Sequence, residues 1–258
     1  MKNRLDMETV TAMFAHDEKH GLVVRAMTRH TAVAGKALGE KQVQVDGKTY
    51  SVRDIAWMLI HGEVPSRTVF HLDGKTENLH RDNLMLAHRA SGEVGLLQLM
   101  HDVKRLLSYC PSSGVFRWIA HYQGHTPGEV AGWSHSAGYL VISIFKVKVY
   151  AHRLAFAFIN GAFPADVVDH INGNPKDNRI TNLRDVSQRI NTENKSSPIN
   201  TRSTSGLLGV HWNSQRGMWN AQIKSFGEKK HLGFFKDKQE AQRVYIEAKR
   251  VLHEGCTL

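Results

Sequence analysis

The chain has 258 residues, a formal net charge of +10 and a sequence pI near 9.7. That length allows two or three small domains, and the basic balance makes a polyanion the natural partner, because Lys and Arg gain affinity by displacing counterions from phosphates. The two cysteines, Cys110 and Cys256, stand far apart in no CxxC pair, which excludes a disulfide framework and a structural zinc knuckle.

The N-terminal residues contain no apolar stretch of signal-peptide length, and no amphipathic basic helix or lipidation motif points to a membrane. The most apolar region, YLVISIFKVKVYAHRLAFAFINGAF, is broken by Lys146, Lys148, His152 and Arg153. The expectation is a soluble protein of the cytoplasm, with no membrane partner.

In chain order, KQVQVDGKTY reads as short strands leading into a helix, VRDIAWMLIH, closed by Gly62. An extended stretch and a polar loop follow in TVFHLDGKTENLHRDNLM, residues 68–85. GEVGLLQLMHDVKRLLSYC has helical periodicity and bridges to a second passage of the same design. There GYLVISIF and KVKVYA read as strands with glycine turns, and AHRLAFAFIN as a helix closed by Gly161. VVDHINGNPKDNRITNLR, residues 167–184, leads to a helix beginning near Val186.

The two passages match without a gap at a separation of 99 positions: Ala56 with Ala155, Gly62 with Gly161, His71 with His170, Gly74 with Gly173, and Asn83-Leu84 with Asn182-Leu183. A weaker echo joins HGLVVR near residue 20 to SGVFRW near 113, and Ala34-Gly35 to Ala131-Gly132. TENKSSPINTRSTS is a polar linker. LLGVHWN, MWNAQIKSF and KKHLGFF then read as three strands. DKQEAQRVYIEAKRVLHEG reads as an amphipathic helix with Asp237 as N-cap.

The second passage carries a constellation suited to phosphodiester chemistry. Asp169 is a hard oxygen ligand for a divalent metal, the adjacent His170 can act as a general base, and Asn182 and Asn191 supply amide oxygens. Asn172, Asn174 and Asn178 read as turn residues. His152 has two readings: contact with phosphate or metal, or anchorage of its helix by a hydrogen bond.

Residues 103–195 resemble the HNH endonucleases, in particular the phage and intron-encoded homing enzymes, with the signature positions on His170, Asn182 and Asn191 and the preceding metal ligand on Asp169. The resemblance implies a ββα-metal site in which one divalent ion, Mg²⁺ or alternatively Mn²⁺, is held by Asp169 and Asn191. His170 then activates water for attack on DNA, and Asn182 orients the imidazole.

In the first passage, Phe70 stands at the Asp169 position, Gly92 at the Asn191 position and Arg53 at the His152 position. This copy is expected to be catalytically dead and to position DNA through Arg53, Arg67, Lys75, His80, Arg81 and Arg89. The last fifty or so residues resemble the APETALA-type DNA-binding domain, on the GV of the first strand, W-x-A-x-I of the second and HLGFF of the third. Alternation would pack Val210, Trp212, Trp219, Ala221 and Ile223 on the helix and turn His211, Asn213, Gln222, Lys224, Lys229 and His231 toward a DNA groove.

The expected fold class is α+β: tandem HNH-like units, the first degenerate (1–92) and the second active (93–195), a linker (196–204), and a small three-stranded antiparallel sheet on one helix (205–258). The expected function is metal-dependent, site-directed hydrolysis of double-stranded DNA, by a monomer or homodimer. A nuclease of low sequence specificity and a non-cleaving DNA-binding regulator are the alternatives.

Overall fold

Two ten-residue helices set the pattern of the molecule. In α2 (Val52–His61) the buried residues Val52, Ile55 and Ala56 recur at helical spacing; in α5 (Ala151–Asn160) Ala151, Leu154 and Ala155 do the same. Each helix stops at a glycine with φ of 71°, Gly62 and Gly161, whose N–H closes the last turn on Met58 O and Ala157 O. Only glycine adopts that left-handed conformation without steric cost.

The computed structural model describes residues 5–17, 21–24, 42–45, 48–135, 138–195 and 205–257. The linker read at 196–204 and the echo at Ala34-Gly35 lie outside the described residues. The remaining elements are α1 (Met7–Met13), β1 (Phe14–Asp17), β2 (Gly21–Val24), β3 (Gln42–Val45), β4 (Lys48–Ser51), β5 (Val69–His71), β6 (Leu84–Leu86), α3 (Gly92–Gln98) and α4 (Met100–Leu106). They continue with β7 (Leu107–Cys110), β8 (Val115–Trp118), β9 (Trp133–Ser134), β10 (Leu140–Ile144), β11 (Val147–Tyr150), β12 (Val167–His170), β13 (Leu183–Val186) and α6 (Gln188–Glu193). β14 (Val210–Asn213), β15 (Met218–Ser225), β16 (Glu228–Phe235) and α7 (Lys238–Leu252) complete the chain. The fold is mixed α+β, its sheets small and antiparallel where the register is defined.

The chain divides into two compact units that interleave in sequence. One comprises Met1–Ser108, Phe116–Ala131 and Ser143–Lys148; the other comprises Tyr109–Val115, Gly132–Ile142 and Val149–Leu258. In the first, Val10, Phe14, Val52, Ile55 and Val69 lie in one apolar core. Its β5–β6 hairpin is closed by a bond from Leu72 N–H to Asn83 O (2.9 Å) and a turn bond from Asn83 N–H to His80 O (2.9 Å). In the second, β12 and β13 pair from Val167↔Val186 to His170↔Leu183, and the equivalent bonds run from Ile171 N–H to Asn182 O (2.9 Å) and from Asn182 N–H to Arg179 O (2.9 Å).

The expected bridging helix is broken. Leu99, with φ of −99° and ψ of 16°, separates α3 from α4, and LSYC continues as strand. The helix after β13 starts at Gln188 rather than near Val186, because Val186 still pairs with Val167 and Ser187 Oγ caps the Ile190 N–H at 3.4 Å. The β10–β11 turn uses no glycine: Phe145 and Lys146 adopt φ of 49° and 64°. Such positions are strained for side-chain-bearing residues. The buried Phe145 is held there by its N–H donating to Tyr122 Oη (3.0 Å) and its carbonyl accepting from Ala90 N–H (3.1 Å).

At the C-terminus, β14–β15–β16 form a three-stranded antiparallel sheet packed on α7. Asp237 caps α7 by accepting from Glu240 N–H (2.7 Å), and Val210, Ala221, Ile223, Ala241 and Tyr245 form the core. Trp212 departs from the expected packing. It shares Val210's face but is 46% exposed, resting edge-on against its cross-strand partner Trp219 with ring centroids 5.1 Å apart.

Candidate active site

Successive strand residues point to opposite faces, so β12 carries Asp169 on one side and His170 on the other, both about 95% buried (4% and 5% exposed). Arg184 lies directly opposite Asp169 on β13 and binds one carboxylate oxygen through two nitrogens, Nε at 2.8 Å and Nη2 at 2.7 Å. The Asn194 amide nitrogen, just past α6, lies 3.0 Å from both Asp169 oxygens, 3.0 Å from His170 O and 3.4 Å from Ile171 O. Asn191 sits one turn earlier on α6, half-buried, and Asn194 is the asparagine bonded to the carboxylate.

The residues after α7 complete this side. Gly255 O accepts from Arg184 (3.0 Å), Gly255 N–H donates to Glu193 (3.2 Å), Arg189 bridges Glu193 (2.7 Å) and Glu254 (2.8 Å), and Thr257 Oγ1 donates to Asn194 Oδ1. A side chain at 255 is excluded, since its Cβ would fall 2.2 Å from Ile190 O.

On the other face, His170 Nε2 meets Asn178 Oδ1 at 3.2 Å. Asn178, read from sequence as a turn residue, is 99% buried (1% exposed). Its backbone is fixed from behind: Tyr109 Oη donates to Asn178 O (2.7 Å), and a Cβ on Gly114 would lie 2.5 Å from the Asn178 carbonyl carbon. Asn182 occupies a different place. Its amide donates to Asn172 Oδ1 (3.0 Å) and Asp177 O (2.8 Å) and accepts from Asn172 N–H (3.0 Å), so it ties the polar loop to the base of the hairpin. Asn83, 99 positions before Asn182, holds its own loop through Asp73 (2.9 Å) and Asn78 O (2.7 Å).

His152, at the start of α5, completes an aromatic cluster. Its ring stands edge-to-face to His170 (5.1 Å, 82°), stacks on Tyr150 (5.4 Å, 10°), and Tyr139 tilts against both histidines. Burial, with His170 and Arg153 nearby, pushes the His152 imidazole down to about 3, so it is neutral at physiological pH. His170 is also lowered, chiefly by burial, while the bond to Asn178 and the Asp169 charge oppose the shift. A buried, neutral imidazole with one nitrogen paired can accept a proton on the other.

A profile of HNH endonucleases matches residues 149–193, which carry His152, Asp169, His170, Asn178, Asn182 and Arg184. The chain is 34% identical to Protein 3.8 of Escherichia phage T7 over 103 residues, which is 40% of this chain and 83% of that protein. The chain belongs to the HNH endonuclease family. It is also 38% identical to DNA endonuclease I-HmuI of Bacillus phage SP01 over 91 residues, 30% of this chain and 52% of that protein. No solved structure matches. Membership makes the chain a DNA endonuclease, with DNA as the implied substrate.

HNH nucleases typically use a divalent metal. The donors here suit one in kind: two carboxylate and two backbone oxygens converge on the position of the Asn194 nitrogen, and a hard cation prefers such oxygens. Among the described residues no group of three His, Cys, Asp or Glu is arranged to hold a metal, and Asp169 is engaged by Arg184 and Asn194.

The other expected residues of this HNH protein fall on other elements. Arg53 follows the N-cap of α2, 3.7 Å from Asp54. On the C-terminal sheet His211 bonds Asn220 (2.9 Å), Asn213 Oδ1 accepts from Arg216 N–H (2.9 Å), and Gln222 pairs with His231 across the sheet. Lys224, Lys229 and His231 are exposed. The sequence reading missed Asn220, on the face of His211, and Arg216, whose guanidinium sits 4.5 Å from the Phe234 ring centre. No described helix is long and apolar enough to cross a membrane.

Proposed function

We propose that this HNH endonuclease is of the homing type, hydrolysing DNA phosphodiester bonds at a preferred site with His170 as general base. The carrying observation is the buried His170–Asn178 bond in the family-matched segment. With Asn178 Oδ1 accepting, Nε2 carries the proton and Nδ1 is the nitrogen that takes one from water. Asn182 keeps the loop that presents Asn178, His152 packs edge-to-face against the imidazole, and Tyr139 tilts against both rings.

Asp169 and Asn191 would hold one divalent metal, Mg²⁺ or Mn²⁺. Bound there, it would neutralise charge on the phosphoryl and leaving oxygens. The C-terminal unit, residues 205–258, is read as an APETALA-type DNA reader through His211, Asn213, Gln222, Lys224, Lys229 and His231. Residues 1–92 are read as a degenerate HNH-like copy, with 93–195 active and 196–204 linking. Hydrogen bonds recurring 99 positions apart, at Leu72–Asn83 and Ile171–Asn182, support the tandem reading. Phe70 in place of a carboxylate supports the loss of cleavage in the first copy, where Arg53 is assigned to DNA.

Nicking of supercoiled plasmid or target DNA with Mg²⁺ or Mn²⁺ tests the assignment. His170→Ala should lower the rate by about 10²–10⁴-fold, the usual worth of a positioned base. Equal cutting by this variant removes the mechanism, and no cutting by wild type across metals and targets removes the activity.

A further inference from the structure

The first unit contains a cavity of about 820 Å³ around the degenerate hairpin, lined by Arg67, Phe70, His71, Arg89, Tyr122 and Lys146 among others. Its size lies within the roughly 300–1,000 Å³ of small-ligand sites. Arg67, Arg89 and Lys146 are exposed and form no ion pair among the described residues, so three cations face the space uncompensated. His71 is 92% buried (8% exposed), and its Nε2 has no hydrogen-bond partner.

The aromatic part of the wall is fixed. Phe70 and Tyr122 lie 5.8 Å apart at 55°, Tyr122 stacks on Trp118 at 5.4 Å, and its hydroxyl is held by Phe145 N–H. The neighbouring loop is pinned by His121 N–H donating to Leu72 O (2.6 Å). Phe70 decides the character of the site. In the second copy the equivalent residue, Asp169, is a carboxylate. Here an aromatic ring removes that charge and offers a stacking surface. Cations beside aromatic faces are the combination that binds single-stranded nucleic acid.

We infer that this cavity binds a nucleotide of a DNA strand, its base against Phe70 and its phosphate between Arg67, Arg89 and Lys146. The inference deepens the reading of the first copy as a DNA-positioning element and rests on DNA as the substrate.

The test uses the full chain without divalent metal and a short single-stranded DNA oligonucleotide carrying 5-bromodeoxyuridine. Photo-crosslinked peptides are mapped by mass spectrometry, and affinity is read by fluorescence anisotropy with a 3′-labelled oligonucleotide. Crosslinks are expected on Phe70. Arg67→Ala with Arg89→Ala should lower their yield about ten-fold or more, consistent with losing two charge-assisted contacts. Thr68→Trp, at an exposed position on the rim, should block the site while sparing the core.

Crosslinks confined to the C-terminal sheet or to residues 149–193, or a double variant that crosslinks like wild type, overturn the proposal. A deoxynucleoside monophosphate or inorganic phosphate that competes as well as the oligonucleotide overturns the assignment to a strand. Crosslinking that persists in a protein unable to cut any DNA removes the nuclease mechanism and leaves the cavity assignment standing. Cutting without these crosslinks does the reverse.

Discussion

The imidazole rings of His152 and His170 meet edge-to-face with 5.1 Å between their centres, and both are held below the ordinary histidine range by burial. A depressed histidine makes folding sensitive to acid. Below the unfolded value of 6.5 the unfolded chain takes up a proton that the native ring refuses until about 3 for His152. Stability from this residue is therefore intact above pH 6.5 and lost as pH falls, at about 1.4 kcal/mol per unit. By pH 5 the loss should reach about 2 kcal/mol. Urea unfolding at pH 7.5 and 5 would show it, and His152→Phe should flatten the difference. An unchanged slope in that variant means the acid sensitivity lies elsewhere.

Arg184→Leu leaves the Asp169 carboxylate buried with only the Asn194 amide against it. Removing one partner of a buried pair is strongly destabilising. Since Arg184 retains some solvent contact, about 2 kcal/mol is expected. The double variant Asp169→Asn with Arg184→Leu should recover part of this, because no uncompensated charge remains. Equal stability of the single and double variants in urea would show the pair to be energetically idle.

Gly255→Ala places a methyl group against Ile190 O and the Glu193 side chain, neither of which has room for it. The residues after α7 must shift, weakening the Gly255 bonds to Arg184 and Glu193. About 1–3 kcal/mol of destabilisation follows from such overpacking. Faster amide exchange at Asn191 and Asn194, whose N–H groups donate to Ser187 O in the first turn of α6 and to Ile190 O in its last, is the accompanying signature. Wild-type exchange there would mean the contact yields freely.

Cys110 should be the reactive thiol. It is exposed, and hydrogen bonds from Ser112 and Ser113 bring it down to about 7. Alkylation by iodoacetamide should rise with a midpoint near pH 7, because the thiolate is the nucleophile. Ser112→Ala should move the midpoint upward. Faster labelling of the half-buried Cys256 at pH 7 would contradict this.

Local signals were legible in the sequence wherever one residue type decides a conformation. Gly161 ends α5 and Asp237 begins α7 where the sequence places them, and the C-terminal strands fall on the expected runs. Contacts across loops were not. Asn178 lies in an Asn- and Gly-rich stretch that reads as turn, and only folding brings its amide onto an imidazole eight positions earlier. Asn194, one helical turn beyond the Asn191 that spacing favours, is the asparagine bonded to the Asp169 carboxylate, a contact set by the geometry past the end of α6. Arg184 had a usable signal: once β12 and β13 are set in register it stands directly across from Asp169. The Phe145-Lys146 turn was hidden because neither residue is a usual left-handed former.

The interleaving of the two units constrains how the protein can be dissected. The tip of the β10–β11 hairpin, Ser143–Lys148, belongs to the first unit, whereas residues immediately before and after it belong to the second. One cut in the chain therefore frees neither. Excising residues 93–195 would carry Phe145 away from the Ala90 N–H that bonds its carbonyl and from the His88 ring beside it at 5.2 Å. Its left-handed backbone would lose one of the bonds that offset its strain. A fragment of that kind reports on a damaged hairpin as well as on catalysis, so point substitutions in the intact chain are the cleaner instrument.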